Sequence, residues 1–268
     1  MKWSELAVNI SAAIIAAGLL FIIFWFRNYF AEKLWLALHF VIAILGAKRY
    51  VLIWNDDSFD HSERIGGILA KQYARVTLKA LSTPRGILNF PSNPSIVKAI
   101  ILIVSDTTKL SEEKNIKDRI QNWLVTYLYR GGGIIGTHDV IYSRVRNQKL
   151  EEVFGGQITD FKRTEGKVKY VRNPDIEKHE ILRELPDSFE LDDGEVLWGN
   201  WRESTTCIFQ TEGENPKPLV VAREFAKGRV VWLNSGDKRE EIAKSILSPE
   251  EHFVILLRNA LDWTSGKH

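Results

Sequence analysis

An α/β fold, with a parallel sheet covered by helices on both faces, is what the order of apolar runs predicts. From residue 50 onward, short β-rich runs alternate with stretches of helical spacing, the rhythm of βαβ units joined by right-handed crossovers. One run, Ala99–Val104, is apolar at every position, as a strand buried on both faces requires. Residues 1–49 have a different character and read as a lipid-facing region, so the expected division is 1–49 and 50–268.

Ala7 to Phe26 is an apolar run interrupted only by Asn9, Ser11 and Gly18. As a helix, its roughly 20 residues rise about 30 Å, the thickness of a bilayer's hydrocarbon core. The run is too long and uniform for a buried core helix. A cleaved signal peptide fits poorly as well, because bulky Phe24-Trp25-Phe26 stands where small residues belong. A second run, Leu34 to Gly46, is about 13 residues long and contains His39. It reads either as an interfacial or re-entrant helix or as the second arm of a hairpin, giving one or two transmembrane helices. Lys48 and Arg49 then place the following domain on the cytoplasmic side of an inner membrane. Ala12, Ala13, Ala16, Ala17 and Gly18 permit close helix approach, and so a homo-oligomer or a complex with other membrane proteins.

Charge divides along the same boundary. Residues 1–49 carry a net +3 and the remainder a net −1. The globular part therefore lacks the basic face that nucleic-acid binding needs. Cys207 is the only cysteine, so no internal disulfide forms.

Tyr50–Trp54 predicts the first strand, followed by the polar loop Asn55 to His61 and a helix over Ser62–Tyr73. Arg75–Ala80 and Ala99–Val104 predict the second and third strands. Ser111-Glu-Glu-Lys opens a helix whose apolar period runs through Ile116, Ile120, Trp123, Leu124 and Leu128. Gly131 stops that helix, and Gly133–Gly136 is the fourth strand. Further strands are expected at Lys167–Arg172 and Thr206–Gln210. Leu219–Glu224 and Arg229–Asn234 form a hairpin, and Glu250–Trp263 is an amphipathic helix.

In open parallel sheets, ligands sit outside the carboxyl ends of the strands. Those ends supply Asp56, Asp57 and His61 after strand one, Ser105 and Asp106 after strand three, and Thr137, His138 and Asp139 after strand four. Arg130-Gly-Gly-Gly-Ile-Ile-Gly-Thr-His138-Asp139 reads as a helix stop, a buried strand and a sharp turn presenting His138. Histidine titrates near neutrality, and neighbouring carboxylates orient it as a general base or as a metal ligand with His61. His138, Asp139 and Asp106 are thus the expected catalytic group. Asp56, Asp57, His61, Thr137, Glu195, Trp198 and Arg223 are expected to bind ligand. Glu195, Trp198 and Trp201 read as a loop whose indoles stack on a sugar or base, and Arg223 as the partner of an anionic group. Each has a plainer reading: a local hydrogen bond at His138, helix caps at 56–61, core packing at the indoles, a solvated strand charge at Arg223. The spacing specifies no metal site, and no cofactor is named by it.

Gly131-Gly-Gly-Ile-Ile-Gly-Thr-His138 resembles the GGG-hydrophobic-G-x-H signature of the trehalose-utilisation (ThuA-like) proteins, within the class I glutamine amidotransferase-like superfamily. In the same order, Leu150–Gly156, His179–Pro186, Phe189–Trp198 (with Asp192, Asp193 and Glu195), Pro218–Arg229 and Leu256–Trp263 resemble further family motifs. The resemblance spans about residues 50–264 and implies a flavodoxin-like sheet with a C-terminal hairpin and a sugar-related ligand. The chain departs from the family at Ser235-Gly236-Asp237, where Gly-His-Asp is usual, and at Glu180, where proline is usual. Amidotransferases carry cysteine at the elbow that His138 occupies, so cysteine glutaminase chemistry is not expected.

The leading expectation is a membrane-anchored cytoplasmic domain that binds or hydrolyses a small polar ligand, such as a sugar or nucleotide derivative, at His138. The rival is a non-enzymatic oligomerising scaffold, a membrane effector or signal relay of the kind found in bacterial defence. A third reading, a tethered glycosidase-like hydrolase, pairs Asp56 or Asp57 with Asp106.

Overall fold

Eleven strands build two sheets among the described residues, which in this computed structural model are 49–55, 59–70, 73, 76–104, 110–111, 113–145, 147–164, 166–235 and 251–266. The larger sheet has the order β2-β1-β3-β4-β11-β10-β9-β6-β7. Its strands are β1 (Arg49–Asn55), β2 (Val76–Leu81), β3 (Val97–Ile103), β4 (Gly133–Thr137), β6 (Val168–Arg172), β7 (Ser188–Leu191), β9 (Thr206–Gln210), β10 (Pro218–Phe225) and β11 (Gly228–Leu233). The five from β2 to β11 run parallel, in the 2-1-3-4-5 order of flavodoxin-like sheets. The rest of the sheet, which the sequence left unassembled, extends from β11 by successive antiparallel pairs. A separate antiparallel ribbon pairs β5 (Gly156–Arg163) with β8 (Glu195–Trp201).

Among the described residues four α-helices pack on this frame: α1 (Phe59–Ala70), α2 (Lys114–Tyr129), α3 (Gln148–Phe154) and α4 (Glu251–Thr264). Side chains alternate across each strand. Val51, Ile53, Ile101, Ile135 and Val231 join Ile65 and Leu69 of α1 and Leu256, Leu257 and Ala260 of α4 in one apolar cluster. The alternate positions Leu52, Ile100, Leu102, Ile134 and Val230 are equally buried, and α2 and α3 pack against β4 and β11. Parallel strands covered on both faces cannot alternate polar and apolar residues, hence the unbroken apolar runs.

The glycines around β4 serve different ends. Gly131, at φ +93°, turns the chain out of α2, its N–H bonded to the Leu128 carbonyl at 2.9 Å. Gly132 and Gly133 are needed for room: a Cβ would strike the Tyr127 ring at one and the Thr264 backbone at the other.

Three strands escaped the sequence reading. Glu195, Trp198 and Trp201 belong to β8, not to a loop. Its burial is not alternating, since Glu195, Val196 and Leu197 are all buried, and the β5–β8 register shifts between Ile158 and Asp160. A bulged, partly two-sided ribbon carries no clean period of two. The predicted membrane runs, 7–26 and 34–46, lie outside the described residues. No helix among the described residues is long and apolar enough to cross a membrane.

Two glycine-to-alanine changes test this packing in opposite directions. A Cβ at Gly136 would lie 2.7 Å from Phe154 Cζ and 2.7 Å from Val140 Cγ1, whereas one at Gly67 in α1 meets nothing within 4 Å. Gly136→Ala is expected to destabilise by about 1–3 kcal/mol through overpacking. Gly67→Ala is expected to stabilise by roughly 0.5–1 kcal/mol through helix propensity. Chemical denaturation of both variants measures the difference; equal effects would contradict the packing.

Candidate functional site

β4 ends against β3, and two hydrogen bonds pin the junction. The Val104 N–H donates to Thr137 Oγ1 at 3.2 Å, and the Asp139 N–H donates to the Val104 carbonyl at 2.9 Å. Between them His138 adopts φ +42°, a left-handed conformation that a non-glycine residue takes at a cost of about 1–3 kcal/mol. Its carbonyl accepts from Trp232 Nε1 of β11 at 3.0 Å, and a short 3-10 turn, His138–Ile141, follows. The turn predicted at this point is present.

The ring it presents is buried, with 3% of the residue exposed. His138 Nδ1 lies 3.2 Å from Asp139 Oδ1, and Nε2 lies 3.7 Å from Glu195 Oε2. Both are ion-pair contacts between a buried ring and a carboxylate. On the outer side, Arg163 Nε approaches Glu195 Oε1 at 3.4 Å, its own side chain 68% exposed. An imidazole with a carboxylate at each nitrogen can hold a proton as imidazolium or pass one along its axis, the chemistry of a general acid or base.

Glu195 reaches this position through Asn234, which is fully buried just beyond β11. Asn234 Nδ2 donates to the Glu195 carbonyl at 2.8 Å, Asn234 Oδ1 accepts from the Leu197 N–H at 2.9 Å, and the Asn234 N–H donates to the Leu219 carbonyl at 2.8 Å. Beside it, Ser235 Oγ donates to Asp193 Oδ1 at 2.7 Å and the Tyr170 hydroxyl donates to Asp193 Oδ2. Burial, and then the Asp193 charge, push the Tyr170 phenol far above its ordinary range, so it remains a donor. Sequence reasoning missed Asn234, Tyr170, Trp232 and Arg163 altogether. It noted Asp193 and Ser235 only within motifs, and Ser235 marked a departure from the family.

The other expected residues separate. Thr137 is 1% exposed and occupied with the strand junction. Trp198 packs against the core, with Lys217 Nζ 5.7 Å from its ring centre. Arg223, expected to hold an anionic ligand, instead caps α3: Nη1 donates to the Val153 carbonyl at 3.0 Å and to the Glu152 carbonyl. A cation at a helix C-terminus is favourable there. His61 lies within α1, and Asp56, Asp57, Ser105, Asp106, Gly236 and Asp237 lie outside the described residues. Among the described residues, no group of three His, Cys, Asp or Glu side chains is placed to hold a metal ion.

Two titration predictions follow from burial. The Cys207 thiol is pushed up to about 12 by desolvation, so almost none is thiolate at pH 8. Ellman's reagent should modify it far more slowly in the folded protein than after denaturation; equal rates would show an exposed, activated thiol. His179 Nδ1 accepts from the Ile181 N–H at 3.2 Å and so acts as a neutral cap; burial lowers its pKa, with Glu180 opposing. The unfolded chain therefore binds this proton first, and the stability conferred by neutral His179 is lost as pH falls from about 6.5 through the lower folded value. His179→Asn keeps a cap acceptor without titrating, and should flatten the fall in melting temperature between pH 7 and 5. An unchanged slope would overturn the assignment.

Comparison with known proteins places this geometry. Residues 51–264 match the family model for ThuA, trehalose utilisation. No curated protein sequence matches. Among solved structures, a ThuA-like protein from Bacteroides uniformis superposes with a TM-score of 0.57 at 17% identity, covering 81% of this chain and 91% of that one. A cytoplasmic protein from Salmonella typhimurium gives 0.58 at 14% identity, covering 81% and 99%. An exo-β-1,4-mannosidase from an Opitutaceae bacterium gives 0.51 at 14% identity, with 81% of this chain matched to only 36% of that enzyme. Identities this low establish a shared fold alone. The family match covers most of the chain, and this protein belongs to the ThuA family.

Proposed function

We propose that the chain is a membrane-anchored, cytoplasmic ThuA-like domain that binds a small polar ligand, a sugar or nucleotide derivative, at the crevice headed by His138. Acid–base catalysis of its hydrolysis is the chemistry these residues suit. The supporting observation is the left-handed His138 at the end of β4, its ring nitrogens 3.2 and 3.7 Å from two buried carboxylates. Backbone strain and clustered buried charge both cost stability, and they concentrate where a protein acts on something. In this reading His138 transfers the proton, Asp139 orients its ring, and Glu195 balances the imidazolium. The proposal takes Asp56, Asp57 and His61, which follow β1 in sequence, and Asp106, which follows β3, as further residues for the ligand, with Thr137 holding the strand junction. The apolar run 7–26 supplies the anchor.

One observation favours the rival reading. His138 and Glu195 are only 3% and 4% exposed, as suits a polar knot that holds β8 to the sheet in a non-enzymatic, self-associating scaffold. A single substitution separates the two. Asparagine tolerates positive φ, so His138→Asn removes the imidazole while keeping the turn. In thermal-shift screening against sugars and nucleotide derivatives, the wild type should respond to at least one compound, and the variant should lose at least tenfold in affinity. Identical responses, or none from either protein, would defeat ligand handling. A stable oligomer in detergent, unchanged by His138→Asn, would then support the scaffold.

A further inference from the structure

A polar cleft lies at the opposite end of the β5–β8 ribbon from Glu195. It encloses about 460 Å³ between the C-terminus of α3 and the start of β5, and is lined by Glu151, Gln157, Asn200, Trp201 and Arg202, with Gly155 and Gly156 at its base. Gly156 and Trp201 are cross-strand partners. A Cβ on Gly156 would come within 2.6 Å of Trp201 Cζ3 and 2.8 Å of Cδ2, so glycine is what lets the indole lie flat on the β5 backbone.

The lining has a distinctive hydrogen-bonding character. Glu151 offers acceptors only, Arg202 donors only, and Gln157 and Asn200 both. Gln157 Nε2 already donates to Glu151 Oε2 at 2.9 Å, which fixes the two side chains side by side. Burial raises the Glu151 pKa, against the opposing effect of Gln157 and Lys117. Trp201 Nε1 is buried and has no hydrogen-bond partner among the described residues. A buried N–H left unmatched costs about 1–3 kcal/mol, and such groups call for an explanation.

We infer that this cleft is a binding subsite for a neutral, polyhydroxylated ligand, a carbohydrate unit. Each hydroxyl both donates and accepts, so a vicinal pair matches the Glu151–Gln157 pair and the Asn200 amide at once. The C–H groups of a pyranose ring suit the part of the Trp201 indole that lines the cleft, its other contacts being the Gly156 backbone and Trp232. An organic cation is the alternative occupant, since Glu151 and Glu152 outnumber Arg202 here. Against it, Arg223 and the Arg202 N–H already engage the carbonyls that end α3, leaving no open negative helix terminus. The cleft shares no lining residue with the His138 site.

Saturation-transfer NMR on the full chain tests this with glucose, galactose, mannose, maltose, cellobiose and lactose, and with butylamine as the cationic probe. Trp201 is a poor residue to remove, because it also packs on Trp232 with ring centres 5.2 Å apart. The variant used is therefore Gln157→Ala/Asn200→Ala, on half-buried and exposed positions, with an unchanged melting temperature confirming its fold. Transfer to at least one sugar, weakened tenfold or more in the double variant and retained in His138→Asn, supports the subsite. Transfer to no sugar, to butylamine alone, or equally in the double variant overturns it. Sugar binding lost only in His138→Asn would assign the carbohydrate to the His138 crevice instead.

Discussion

The central constraint is the position of β4. Its five residues are all buried, with β3 on one side, β11 on the other, and helices on both faces. That leaves no room for side chains at Gly133 and Gly136, and no latitude in where the strand stops. At Val104 and Thr137 the strands part, and the chain must reverse its hydrogen bonding within one residue. His138 absorbs that reversal by going left-handed. The strain is met locally, by the Trp232 indole on the His138 carbonyl and by the Asp139 N–H on Val104. Direction at this site is thus set by the backbone before any side-chain preference enters, as in strand-to-helix elbows that present a nucleophile.

The carboxylates around the ring arrive by different routes. Asp139 is the next residue and comes with the turn. Glu195 belongs to a ribbon outside the main sheet, and it is delivered by Asn234, whose amide spends both ends on the backbone of β8. Such an arrangement is a poor way to gain stability. Burying ionisable groups costs several kcal/mol each, and apolar replacements of similar volume often do as well or better. Arg163 adds little in compensation, because an ion pair with so exposed a guanidinium is screened. Folding energetics alone therefore give little reason for three ionisable side chains in this place.

The parts legible in the sequence were those where one element alone sets the pattern. Buried parallel strands gave unbroken apolar runs at β1, β3 and β4, α2 and α4 kept a helical period, and the β10–β11 hairpin showed its turn. His138 was readable because the preceding strand left a single residue to be presented. Glu195 was singled out for the wrong reason, as the neighbour of stacking indoles on a loop. Its partnership with His138 spans 57 positions of chain and depends on Asn234, which no local pattern signals. Arg223 was ambiguous for a related reason: an arginine on a strand reads the same whether it faces a ligand or caps the helix α3. The expected catalytic partner Asp106 and the strand-one residues Asp56 and Asp57 lie outside the described residues.

An imidazole at the end of β4 limits the chemistry this turn suits. A cysteine or serine there would need an adjacent base and would form a covalent intermediate. His138 has a carboxylate near each nitrogen, so neither nitrogen faces a reacting carbon freely, and Cys207 is both remote in sequence and held as a thiol. The residues in place suit moving a proton or steadying a polar ligand, not making a bond to it. His138, Asp139 and Glu195 thus form a buried ionisable cluster at the end of β4, with the exposed Arg163 against Glu195.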